Sequence, residues 1–84
     1  MKTITVRYFA SIREALGQGS EAVETSATTL GALRDELIAR GGAHASSLAR
    51  GKAVRMALNQ TLSDETAALS DGAEVAFFPP VTGG

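Results

Sequence analysis

Residues 29–42, TLGALRDELIARGG, form the clearest predicted helix in this chain. Its large apolar residues recur at helical spacing and make one stripe: Leu30, Leu33, Leu37 and Ile38. Thr29 is a suitable N-cap, and the pair Gly41 and Gly42 ends the helix. The charged residues between the apolar positions are predicted to fall largely on the solvent side: Arg34, Asp35 and Glu36. The helix therefore needs an apolar surface to cover its stripe.

Strands on both sides of this helix supply that surface. Apolar and polar residues alternate in residues 2–9, with Ile4, Val6 and Tyr8 on one face, as in a half-buried strand. Further strands are predicted at 21–25, 53–58 and 74–78, with a short edge strand after a turn at Asn59-Gln60. The order is ββαβββ, which is an α+β layer of one sheet on one main helix.

Two short helical segments complete the prediction. Ser11 and Glu14 fit a capping box that opens a helix ending at Gly17. A second turn or helix is expected over residues 44–50, with His44 in solvent.

Length, charge and hydropathy reduce the number of function classes that fit this chain. The chain has 84 residues, enough for one domain. Eight basic and nine acidic side chains give a formal net charge of -1, which argues against a dedicated nucleic-acid binder. No apolar run approaches the ~20 residues that cross a bilayer, and the start, MKTITVRYFA, carries no signal-peptide core. We therefore expect neither nucleic acid nor membrane as a partner, and a cytoplasmic location.

The absence of cysteine excludes most side-chain chemistry. With 0 Cys and one His, the chain has no disulfide, no thiolate zinc site and no cysteine nucleophile. A serine triad would have to use His44, for which a solvent position is the simpler interpretation.

The stretch from Arg40 to Arg55 is unusually basic. No acidic residue lies between Glu36 and Asp64, whereas this stretch holds four cations: Arg40, Arg50, Lys52 and Arg55. A solvated basic edge is the favoured interpretation, and a patch that steers an acidic protein is the alternative.

The last ten residues, VAFFPPVTGG, contain no charged side chain. Val75 and Phe77 should face the helix, which leaves Phe78 on the opposite face as an apolar anchor for a partner, or folded over a sheet edge as core. The two prolines favour an extended exit, and the final glycines make a thread thin enough for a narrow channel. The α-carboxylate of Gly84 is then the best candidate for chemistry, after activation as an acyl-adenylate.

The ending resembles a known family. Residues 69–84, LSDGAEVAFFPPVTGG, are similar to the small subunit of molybdopterin synthase, as are YFA at 8–10, RE at 13–14 and LNQT at 58–61. The resemblance covers the full length. It implies a β-grasp, ubiquitin-like fold, with one mixed sheet packed on one main helix plus short helices. Residues 1–78 would form the domain and residues 79–84 an extended tail.

The resemblance also implies a reaction cycle and partners. An E1-like adenylating enzyme, which binds the ATP, would convert Gly84 to an acyl-adenylate. A sulfur donor, such as a cysteine desulfurase or a rhodanese-like protein, would then leave a C-terminal thiocarboxylate. The loaded carrier would dock on the large synthase subunit and pass its sulfur to a cyclic pyranopterin monophosphate. The chain itself would bind no cofactor or metal and would be a carrier, not an enzyme, in an assembly with two copies of each subunit.

Site residues follow from the same resemblance. Gly84 carries the sulfur, and the rest of the tail keeps the thread thin and extended: Pro79, Pro80, Val81, Thr82 and Gly83. Partner contacts are expected at Phe78, Phe9 and Arg7 on the open face of the sheet.

Three alternatives use the same features. A sulfur carrier for thiazole synthesis shares the fold and the ending. A ubiquitin-like modifier would join Gly84 to a lysine through an isopeptide bond. A plain β-grasp binding module would have no use for its tail.

Overall fold

The computed structural model describes residues 1–80, so the predictions for Val81, Thr82, Gly83 and Gly84 lie outside the described residues. The helices and strands follow the predicted order: β1 (Lys2–Tyr8), α1 (Ala10–Leu16), β2 (Ser20–Thr25), α2 (Leu30–Ile38), α3 (Gly42–Leu48), β3 (Arg55–Leu58), β4 (Thr61–Ser63) and β5 (Glu74–Phe78). Among residues 1–80, no helix has the length and apolar character needed to cross a membrane.

The five strands form one mixed sheet in the order β2-β1-β5-β3-β4. The central pair, β1 and β5, is parallel, and the other neighbouring pairs are antiparallel. The β3–β4 hairpin turns at Asn59 and Gln60, whose φ angles of 50° and 69° match the left-handed conformation that tight hairpin turns require. The predicted turn and edge strand are therefore confirmed.

One face of the sheet packs against the helices. The largest fully buried side chains come from β1, α2, the end of α3 and β5: Ile4, Val6, Tyr8, Leu30, Leu33, Leu37, Leu48, Val75 and Phe77. Val75 and Phe77 face this core, as predicted, because successive residues of a strand point to opposite faces. The alternation therefore leaves Ala76 and Phe78 on the other face of β5.

Helix α2 begins as predicted, with the Thr29 hydroxyl accepting a hydrogen bond from the Ala32 amide at 3.1 Å. The prediction for Arg34 is wrong, since this side chain is buried and not in solvent. Its guanidinium donates to the carbonyl oxygens of Leu48 and Ala49, both at 2.8 Å. The helical spacing placed Arg34 beside the apolar stripe, and the segment after α3 folds across that flank of α2.

Replacing Arg34 by alanine should lower the free energy of unfolding by about 2 kcal/mol, because buried carbonyl groups lose their charged donor. Denaturant unfolding would measure the change. The exposed Arg13 offers a matched control, and Arg13→Ala should change stability by less than about 0.5 kcal/mol. Equal effects of the two substitutions would refute the structural role of Arg34.

The capping box predicted for α1 is wrong. The helix begins at Ala10, the N-cap residue is Phe9, and no side chain caps this end. Phe9 keeps the extended conformation of β1, and Ala10 then turns abruptly with a φ of 51°. The chain therefore enters the helix before Ser11, while Gly17 ends it in the left-handed conformation, as predicted.

Candidate functional site

The face of the sheet opposite the helices, here called the open face, carries a shallow groove. At its centre Ala76 of β5 pairs with Arg7 of β1 on one side and with Ala57 of β3 on the other. The two alanines have small side chains, so larger neighbours stand above them. The resulting groove has a volume of about 720 Å³, and its apolar lining includes Phe9, Ala57, Ala76, Phe78, Pro79 and Pro80.

The structure brings the predicted partner-binding residues together in this groove. Phe9 is 44% exposed although it directly follows a strand, and Phe78 is half-buried beside it. Arg7 reaches Glu74 at 3.8 Å on the same wall. Pro79 and Pro80 continue the groove from the end of β5. These positions form one continuous surface, and their binding role remains a prediction.

Leu62 belongs to the same face and was missed by the sequence reasoning. It is 65% exposed on β4 and pairs across the hairpin with Ala57. An apolar row therefore runs from the centre of the sheet to its edge. Strand β4 has only three residues, too few for alternation to reveal a face. The pairing of the hairpin across Asn59-Gln60 was the available signal.

Potential metal-ligating side chains are scattered over the described part of the chain. Residues 1–80 contain no group of three His, Asp or Glu residues placed to hold a metal ion. The sole histidine is engaged in a hydrogen bond within the fold. The groove is apolar and leads to Pro80, after which the described residues end. The Gly84 carboxylate, outside them, therefore remains the predicted reactive group.

His44 is not in solvent as predicted but belongs to a partly buried polar cluster around Glu21. The Glu21 carboxylate accepts hydrogen bonds from the Tyr8 hydroxyl at 2.7 Å and from Arg40 at 2.8 Å, and His44 Nε2 lies 3.0 Å away. The rings of His44 and Tyr8 meet edge to face at 6.1 Å. This cluster ties α3 and the end of α2 to the edge strand β2.

The cluster shifts two pKa values in opposite directions. Burial would raise the pKa of Glu21, but hydrogen bonds from His44, Tyr8 and Arg40 outweigh it and lower the pKa from 4.5 to about 2. Burial, together with the bond to Glu21, raises the pKa of Tyr8 above its usual range. Glu21 is therefore ionised throughout the physiological pH range.

Glu21 should make the stability of the fold depend on pH. Its pKa is lower in the folded chain than in the unfolded chain, so its contribution is complete above about pH 5 and disappears as the pH falls towards 2. Glu21→Gln should lower the free energy of unfolding by about 2 kcal/mol at pH 7. This is less than the free energy that corresponds to the whole pKa shift, because water reaches part of the cluster.

Thermal or denaturant unfolding at several pH values would test this. The difference between the wild type and Glu21→Gln should shrink below about pH 3. Glu24→Gln is a control on the same strand, at an exposed position. A difference that stayed constant from pH 7 to pH 2 would refute the proposed linkage.

The four cations of the basic stretch from Arg40 to Arg55 are exposed but differ in their ion pairing. Arg40 pairs with Glu21, and Arg50 pairs with Asp35 at 2.8 Å and with Glu65. All four cations are exposed, as the predicted solvated edge requires, and half of them also have acidic partners. The acids that neutralise them are distant in the sequence, and only the fold brings them close.

Comparisons with known proteins agree with this architecture. The model of the ThiS family matches residues 6–84. The molybdopterin synthase sulfur carrier subunit of Escherichia coli is 44% identical over 81 residues, covering 96% of this chain and 99% of the relative. The sequence similarity to these proteins therefore extends over nearly the whole chain, including residues 79–84.

Solved structures give the same result for the fold. A chain in the complex of subunits 1 and 2 of molybdopterin-converting factor from Helicobacter pylori is 28% identical, with a TM-score of 0.68 over 98% of this chain and 99% of that chain. SAMP1 from Haloferax volcanii is 25% identical, with a TM-score of 0.77 over 98% of this chain and 99% of that chain. The predicted β-grasp, ubiquitin-like fold is confirmed. The chain therefore belongs to the ThiS family, and it resembles the sulfur carrier subunits of molybdopterin synthase over their full length.

Proposed function

We propose that this chain carries sulfur for the biosynthesis of the molybdenum cofactor, as a thiocarboxylate on Gly84. The observation that carries the proposal is the continuity of the open face with the tail: Phe9, Phe78, Pro79 and Pro80 line one groove. A partner that covers this groove would receive the tail at its own active site. The likeness to sulfur carrier subunits of molybdopterin synthase supports the same cycle.

The proposed cycle begins with activation of the Gly84 carboxylate, which is a poor electrophile. A carboxylate oxygen attacks the α-phosphate of ATP in the active site of an E1-like enzyme and releases pyrophosphate. The persulfide of a sulfur donor, such as a cysteine desulfurase or a rhodanese-like protein, then displaces AMP to form an acyl disulfide, and a thiol reductant cleaves the S–S bond to release the thiocarboxylate. In this scheme the ATP is bound by the adenylating enzyme, and the carrier holds no cofactor of its own.

In the second half of the cycle, the large subunit of molybdopterin synthase takes up the loaded tail. The thiocarboxylate sulfur displaces an oxygen substituent of the cyclic pyranopterin monophosphate. Water then cleaves the acyl–sulfur bond, which restores the carboxylate and leaves the sulfur on the acceptor. The catalytic side chains belong to the partners, so the chain is a carrier subunit and not an enzyme. We place the cycle in the cytoplasm and assign the chain no nucleic-acid or membrane partner.

The Helicobacter pylori structure is a complex of subunit 1 with subunit 2 of molybdopterin-converting factor. This precedent supports a large subunit as the partner of the present chain. We infer that Phe78, Phe9 and Arg7 contact that subunit through the open face. Leu62, at the exposed end of the same apolar row, would extend the contact to the sheet edge.

An intact-mass measurement tests the proposal. The full-length chain is incubated with the adenylating enzyme, ATP and a sulfur donor, beside a control chain that lacks Gly84. Replacement of one oxygen by sulfur in the full-length chain alone is the expected result. No mass change, with an adenylating enzyme shown to be active, would refute the sulfur carrier.

A ubiquitin-like modifier is the second candidate, favoured by the likeness to SAMP1, which is described as a small archaeal modifier protein. In that case the Gly84 adenylate would pass to a lysine amine. Covalent adducts that survive denaturation and reductant would establish this use. The thiazole alternative differs only in the acceptor, so sulfur transfer from the loaded chain to a thiazole precursor, and not to the pyranopterin, would identify it.

A further inference from the structure

Two cations lie beside the point where the tail leaves the domain, here called the tail root (Phe78, Pro79 and Pro80). Arg55 pairs with Phe78 across the β3–β5 ladder. Lys52 lines a second groove, of about 430 Å³, that Pro79 also lines. The β3–β5 register places Arg55 beside the tail root, and the second groove places Lys52 beside it.

Neither cation is neutralised within the described part of the chain. Among residues 1–80, no acidic side chain lies within 4.0 Å of the charged nitrogens of Lys52 or Arg55, and both residues are exposed. The other arginines of the same stretch, Arg40 and Arg50, have acidic partners at 2.8 Å. The fold therefore pairs two of the four cations of this stretch and leaves Lys52 and Arg55 unpaired among residues 1–80.

Two acidic residues lie near Arg55, and neither forms an ion pair with it. Asp64 and Glu65 share a shallow groove with Arg55. Asp64 Oδ1 accepts a hydrogen bond from the Thr66 amide at 2.9 Å, and Glu65 pairs with Arg34 and Arg50. The chain as a whole has a formal charge of -1. The positive charge at the tail root therefore comes from Lys52 and Arg55 themselves, and among residues 1–80 the fold places no ion-pair partner within 4.0 Å of either.

We propose that Lys52 and Arg55 contact carboxylates of the protein that takes up the tail, and that this partner carries an acidic rim around its tail channel. The inference rests on the proposed function and adds the chemistry of the partner surface. Opposite charges on two approaching surfaces increase the association rate and fix the orientation, while apolar contacts hold the complex. The cations would direct the tail to the channel, and the open face would retain it.

The test compares two double variants with equal changes in charge. Lys52→Glu/Arg55→Glu reverses the sign of the charge at the tail root. Lys2→Glu/Arg13→Glu reverses the charge of two cations that lie away from it. Neither Lys2 nor Arg13 lines either groove at the tail root. Association with the large molybdopterin synthase subunit of the same organism is followed by stopped-flow fluorescence at several ionic strengths.

The tail-root variant should associate about tenfold more slowly at low salt and lose most of the salt dependence, while the control stays near the wild type. Lys52→Arg/Arg55→Lys should restore the wild-type rate. Equal rates for the two charge-reversed variants would refute the inference. Faster association of the tail-root variant would also refute it, since the cations would then be holding the chain's own carboxylate. Failure of the wild type to bind would overturn the proposed function itself.

Discussion

Deletion of Gly84 is expected to abolish formation of the thiocarboxylate while changing Tm by less than about 2 °C. Among residues 1–80, the buried side chains of the core run from Ile4 to Phe77. The described part of the tail, Pro79 and Pro80, is only partly buried. The tail would therefore serve the chemistry and contribute little to folding.

The measurement combines intact mass after loading with a thermal melt of the same sample. An added glycine after Gly84 is a matched control, because it keeps a C-terminal carboxylate but displaces it by about 3.5 Å. The yield of thiocarboxylate on this extended chain should fall steeply. A large drop in Tm on deletion would contradict the free-tail prediction, and normal loading of the deleted chain would remove Gly84 from the mechanism.

Phe77 and Phe78 offer the second large effect, because adjacent residues of β5 face opposite sides of the sheet. Phe77 is 0% exposed, and Phe77→Ala should lower the free energy of unfolding by about 4 kcal/mol. Phe78 is half-buried in the open groove. Phe78→Ala should lower the free energy of unfolding by about 1 kcal/mol but weaken binding to the large synthase subunit about 30-fold.

Denaturant unfolding and titration calorimetry with the large subunit would measure the two quantities. The expected result is a crossed pattern, in which one substitution destabilises the fold and its neighbour weakens the complex. Unchanged affinity of Phe78→Ala would return Phe78 to the role of a bystander at the sheet edge. A stability loss at Phe78 equal to that at Phe77 would place it in the core.

The sequence predicts the order of the strands and helices because periodicity and turn residues are local signals. The alternation in β1 and the stripe of α2 each identify a buried face without knowledge of the partner element. The hydrogen-bond partners of polar side chains could not be predicted in the same way, because they come from distant parts of the chain. The predicted capping box of α1 was wrong because the extended Phe9 continues β1 and the helix begins before Ser11. The predicted solvent position of Arg34 was wrong because the segment after α3 covers that side of α2.

The part of the candidate site near the end of the sequence could be predicted from local patterns. Phe78 follows from alternation in β5, and the prolines and glycines of residues 79–84 are visible directly in the sequence. Leu62 was missed because its face is set by pairing with β3. The cluster around Glu21 was missed because its members come from β1, β2, α3 and the end of α2.

The sequence by itself therefore determined the α+β class, the buried face of each main element and the uncharged, largely apolar character of residues 75–84. These depend on neighbours along the chain. Only the tertiary structure decided which charges are paired. Arg40 and Arg50 meet acids contributed by other elements, while Lys52 and Arg55 stay unpaired at the tail root among residues 1–80. Coulomb interactions depend on distance in space, which a linear pattern of charges does not contain.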